Sequence, residues 1–160
     1  MRYIELSPDT ITEPKIQQAY AYWQNARRGR VMPSRADMDP LDLRFCLGWI
    51  CVIDVIEGPV RRFRFRLDGS QLARLTGYDL TNTYVDEMKD PAYAAFLSMI
   101  YNRAVDTRAA VFIGDSEDWG RRGYLMQSAT LPLSDDGEHA NALMDVLIPT
   151  YMPLGQKPQS

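Results

Sequence analysis

From Arg62 to Leu67 the chain alternates arginine with an apolar residue, a period of two that predicts a strand. Phe63, Phe65 and Leu67 fall on one face of it and Arg62, Arg64 and Arg66 on the other. The alternation stops at Asp68-Gly69, a turn dipeptide, where Ser70 reads as a helix N-cap. Leu72 and Leu75 then form one side of a short helix that ends at Gly77. A strand, a tight turn and a stubby helix folded back over the apolar face make the wall of a small pocket, which favours binding over catalysis.

The same reading extends along the chain. Residues 15–28 predict an amphipathic helix with Ile16, Ala19, Tyr20, Trp23 and Ala26 on one face and Arg27 and Arg28 in its last turn. A second short helix is expected from Asp39 or Pro40, carrying Leu41, Phe45 and Leu47. Residues 48–56 are almost continuously apolar, as in a strand covered on both faces. Asp90-Pro91 opens a longer helix to about Val105. Three strands are expected at about 109–114, 124–133 and 142–148, with residues 134–139 as a hairpin turn and Pro149 as a stop. Strands grouped at both ends of a helical middle argue for an α+β domain with one antiparallel sheet. The expected division is an irregular lead-in (1–14), a helical extension (15–47), a core (48–150) and a loose tail (151–160).

Composition adds limits. A chain of 160 residues suits one domain and is expected to bury roughly 70% of the surface its unfolded form exposes. The net charge of −3 gives no basic stripe for nucleic acid. Cys46 and Cys51 lack a second pair or a histidine cluster and read as buried free thiols rather than zinc ligands or a redox pair. No run approaches 18 apolar residues, and the first residues hold no signal-peptide segment, so a cytoplasmic protein without a membrane span is expected.

The element order, two strands, short helices, a longer helix and three strands, resembles a PAS domain. At the residue level Trp23, Arg27-Arg28-Gly29, Met32-Pro33-Ser34-Arg35, Asp37, Asp39-Pro40, Phe65-Arg66-Leu67 with Gly69, and Gly77-Tyr78-Asp79-Leu80-Thr81 are similar to the bacterial stand-alone PAS group with an N-terminal helical extension. Ser70 and Asn82 depart from the threonine and glycine that group leads one to expect. The resemblance implies a five-stranded antiparallel sheet with helices on one face and the N-terminal helix covering the other. It also implies a non-enzymatic sensory or regulatory module that encloses a small ligand, contacts a regulatory protein in trans, and dimerises with itself.

The single histidine, His139, falls in a predicted turn, which disfavours haem and leaves no Ser-His-Asp or Cys-His unit. Both cysteines precede or lie in the first core strand, which disfavours a covalent flavin; no cofactor is assigned. Asp115, Glu117 and Asp118 are a candidate divalent-ion loop, and Trp119 beside them a candidate partner anchor, although a solvated loop is the plainer reading. The expected ligand pocket is lined by Phe63, Phe65, Leu72, Leu75, Tyr84, Phe96, Ile100, Met126 and Met144, with Ser70, Tyr78, Tyr101 and Gln127 as polar handles. Trp23, Arg27, Arg28, Arg35, Arg62, Arg64 and Arg66 form the candidate interaction surface. These arginines, with Arg30, are expected to pair with Asp37, Asp39 and Asp42 or to receive an acidic partner. Two alternatives stay open: an adaptor with a filled core, and a small enzyme using Asp54 or Tyr101 as acid or base.

Overall fold

The computed structural model describes residues 2–114, 123 and 125–151. Six strands form one antiparallel sheet: β1 (Ile4–Leu6), β2 (Ile50–Ile56), β3 (Arg62–Leu67), β4 (Val111–Gly114), β5 (Leu125–Leu133) and β6 (Ala142–Tyr151), in the spatial order β1-β4-β5-β6-β2-β3. The helices are α1 (Pro14–Ala26), α2 (Ser70–Thr76) and α3 (Pro91–Thr107), with single 3₁₀ turns at Arg35–Asp37, Leu47–Trp49 and Val85–Glu87. The expected α+β sheet is present, with one strand more than expected. The lead-in read as irregular contains β1, which pairs with β4, while Glu5 reaches the Arg103 guanidinium on α3.

Register sorts every strand residue onto one of two faces. Cys51 opposes Asp145 and Asp145 opposes Thr130, so these three share the inner face with Ile53, Phe65, Met126, Ser128 and Leu147. Ile50, Val146, Ala129 and Phe112 lie on the outer face. Helix α3 covers the inner face: Tyr101 meets Phe63 edge-on at 5.4 Å between ring centres and reaches Asp145. Helix α1 covers the outer one: Tyr20 packs edge-on against Phe112, and the Trp23 indole N–H donates to the Pro132 carbonyl at 2.8 Å. Strands buried on both sides explain why β2 and β6 read as apolar runs, each broken by a single carboxylate.

The caps follow the sequence with small shifts. Asp90 accepts from the Ala92 and Tyr93 amides at the start of α3, as expected. Ser70 is the first residue of α2 and does not cap it; the cap is Gly69, which lies against the Gly48 backbone where a side chain would not fit. Helix α1 ends at Ala26, so Arg27 and Arg28 lie beyond its last turn, with Arg28 and Gly29 in left-handed conformation. Residues 40–46 form successive turns rather than a helix, and they bury Leu43 and Cys46 while Leu41 and Leu47 stay exposed. Pro149 does not end β6; it pairs with Met126 beside a register shift, which accommodates the ladder bond it lacks.

Candidate functional site

Between α2, α3 and the inner face lies a cavity of about 60 Å³. A water needs roughly 10–15 Å³ on this measure, so there is room for about four. Its floor is the sheet: Cys51 from β2, Phe65 from β3, Met126 from β5, and Asp145 and Leu147 from β6. Its roof comes from Leu72, Leu75 and Thr76 of α2, Tyr78 and Leu80 of the loop after it, and Tyr93, Leu97 and Tyr101 of α3. Gly77 at φ +87° ends α2 and turns the chain so that Tyr78, which is exposed, stands at the mouth.

Of the pocket residues expected from sequence, Phe65, Leu72, Leu75, Tyr78, Tyr101 and Met126 line this cavity. Phe63 and Ile100 are buried beside it in the core, and Phe96 packs between the rings of Tyr3 and Tyr93. Ser70 is exposed on α2. Tyr84 lies beneath the Arg62 guanidinium, 3.8 Å from its ring centre. Gln127 and Met144 are on the wrong face: each alternates with an inward neighbour, Met126 or Asp145. Gln127 instead ties down the entry to α1, accepting from the Thr12 and Glu13 amides and donating to the Thr12 hydroxyl at 2.7 Å.

The sequence reading missed the polar centre. Asp145 is fully buried; it accepts from the Tyr101 hydroxyl at 2.9 Å and the Thr130 hydroxyl at 3.1 Å. Burial pushes its pKa up to about 6, against those two bonds, which favour the charged form. Asp68, after the last residue of β3, accepts from the Cys51 thiol at 3.3 Å and the Leu80 amide at 3.0 Å. Its pKa is also raised, chiefly by burial and further by the nearby Asp79 charge, although the Leu80 and Cys51 bonds oppose this. Cys51 and Tyr101 are pushed well above their ordinary ranges by burial and by these carboxylates. The signal was present in the sequence, since one carboxylate interrupts the apolar run of residues 142–148.

A second carboxylate breaks an apolar run at Asp54, and it faces the other way. Arg35 donates to its Oδ1 at 2.9 Å, while Arg64 and Arg66 donate to Oδ2 at 3.0 and 2.9 Å. Burial opposes its charge, yet the three guanidinium groups hold its pKa below the usual carboxylate range. The arginines on β3 therefore turn to carboxylates of the sheet and its edge; of the expected partners Asp37 does take an arginine, while among the described residues Asp39 and Asp42 do not. Arg30 takes Asp37 at 2.6 Å, Asp39 and Asp42 bind the Leu41 amide and the Tyr22 hydroxyl, and Arg62 pairs with Asp86 and Glu87. Arg27 lies over the Trp23 ring at 5.2 Å. Arg35 on Asp54 adds an ionic tie between the N-terminal extension and the sheet, beside the Trp23 bond to Pro132. Asp54→Ala is expected to lower stability by about 1–2 kcal/mol, between the values for an exposed pair and a buried one, because the arginines are a third to a half exposed. Urea denaturation checks this; a change below ~0.5 kcal/mol would mean that the extension is held by packing alone. Its outer-face position also removes Asp54 as an acid or base for the cavity.

His139 is exposed in the 134–139 turn, with its ring 2.9 Å from Asp136. Both cysteines are buried and free. Among the described residues no group of three metal-ligating side chains comes together; Asp115, Glu117, Asp118 and Trp119 lie outside those residues. None of the described helices is long and apolar enough to cross a membrane. A family model described as PAS domain matches residues 11–147, which takes in the cavity and both faces of the sheet. No curated protein and no solved structure matches the chain.

Proposed function

The chain belongs to the PAS domain family, and from that premise we propose that it is a non-enzymatic sensor whose inner cavity binds a small molecule. Ligand occupancy alters how it contacts a regulatory protein in trans. It acts as a cytoplasmic homodimer, with the arginines around Asp54 and the N-terminal helix beside them as the contact surface. Family membership makes the chain a sensory or regulatory module; the observation that carries the ligand is the cavity itself. A domain of this size normally fills its core, and space next to buried hydrogen-bonding groups is costly unless something occupies it. Tyr101 supports a binding role rather than a proton-transfer one, because its hydroxyl is committed to Asp145 and its pKa lies well above the ordinary value.

Native mass spectrometry of protein purified from its own cells tests the reading. The folded chain is expected to carry a small-molecule mass that disappears in Leu72→Trp, where the larger ring fills the cavity. A bare wild-type protein, or the same mass retained by Leu72→Trp, would end it.

A further inference from the structure

The two sides of the sheet treat buried carboxylates in opposite ways. On the outer face Asp54 receives three arginines. On the inner face Asp145, 3% exposed, and Asp68, 7% exposed, share one cavity, and among the described residues no lysine, arginine or histidine lines it. Their four oxygens each accept one bond, from the Tyr101 and Thr130 hydroxyls, the Cys51 thiol and the Leu80 amide, all neutral donors. A carboxylate oxygen has two acceptor positions, so further capacity remains on both groups. Buried charge without a partner is costly, and a fold normally supplies the counter-ion or leaves the acid out. Among the described residues no counter-ion faces these two acids, and the space for one is present.

We propose that the cavity takes a small, mostly apolar molecule bearing a protonated amine, whose ammonium group sits between Asp68 and Asp145. This rests on reading the cavity as a ligand site. An ammonium is compact and brings three donors, matching acceptors on two sides of a narrow space. The ligand's apolar body packs among Leu72, Leu75, Leu97 and Leu147, with Phe65 below it. A divalent metal ion suits the site poorly, since hard cations need six or more oxygen ligands and the remaining walls are largely hydrocarbon.

Isobutylamine and isobutanol, nearly equal in shape but different in charge, separate the claims when titrated into the full chain at pH 7.5 and followed through backbone amide NMR shifts. The amine is expected to bind at least about tenfold more tightly than the alcohol, the usual scale of a charge-assisted bond against a neutral one. Its largest shifts should fall at Cys51, Asp68, Leu80 and Asp145. Asp145→Asn and, separately, Asp68→Asn should each remove most of that preference for amine over alcohol while the spectrum stays dispersed. Equal affinity for the two probes, or an amine preference that survives both substitutions, would overturn the ammonium class while keeping the cavity as a binding site. Silence toward both probes would overturn the cavity reading along with it.

Discussion

Gly69→Ala is expected to cost about 4 kcal/mol, a large share of the total where domains are stable by about 5–15 kcal/mol. The reason is space rather than conformation. Gly69 has φ −57° and ψ 139°, which alanine adopts freely. A Cβ there would lie 2.3 Å from the Gly48 carbonyl oxygen, 2.8 Å from the Gly48 carbonyl carbon and 2.9 Å from the Ile50 carbonyl oxygen. All three are backbone atoms at the entry to β2, so relief requires pulling that entry away from the end of β3. Gly77→Ala is the control. Its φ of +87° is strained for any side chain, yet nothing lies within 4 Å of the added carbon, and about 1 kcal/mol is expected. Urea midpoints for the two variants test the argument, which fails if their costs fall within ~1 kcal/mol of each other. The close approach also has a functional side: Gly69 is the neighbour of Asp68 and holds that carboxylate at the cavity wall.

That pair of backbones shows where sequence reasoning stops. The Asp68-Gly69 break, α2 and its end at Gly77, and the apolar side of α3 are local matters of period and turn chemistry, and they were legible. So were the two covered faces of the sheet, because β2 carries no alternation. What escaped was set by partners distant in the chain. Strand β1 is three residues long and becomes a strand only by lying against β4, a hundred residues away. Gln127 and Met144 lie on the outer face against expectation, because strand bounds without register cannot say which alternate points inward, and a slip of one residue exchanges the faces. The polar centre was missed for a related reason. Asp54 and Asp145 look alike, each a lone carboxylate in an apolar run, and only the antiparallel pairing shows that one meets arginines and the other a cavity.

The inner carboxylate gives the second large effect. Asp145→Asn is expected to stabilise the protein by about 2–3 kcal/mol at pH 7.5, raising its melting temperature by roughly 5–10 °C at this chain length. The pKa of Asp145 rises from an ordinary 3.8 in the unfolded chain to about 6 in the fold, mainly through burial. At about 1.4 kcal/mol per unit that difference is worth about 3 kcal/mol, lost by the native state once the group ionises. The native state binds the extra proton between these values, so the group's contribution is fully present below about pH 4 and disappears as pH rises through about 6. Tyr101 from α3, Cys51 from β2, Thr130 from β5 and Asp68 after β3 surround or share the cavity with it. An amide in its place keeps an acceptor for the Tyr101 hydroxyl and offers a donor to Thr130. The stability difference between variant and wild type is therefore expected to be near zero at pH 4 and to grow to its full size by pH 7. Chemical denaturation across that range decides the matter: a variant less stable than wild type at pH 7.5, or a difference that does not vary with pH, would show that the carboxylate is not penalised by its site. The same substitution that gains stability should lose the amine, the trade expected where a binding group is held at a cost to the fold.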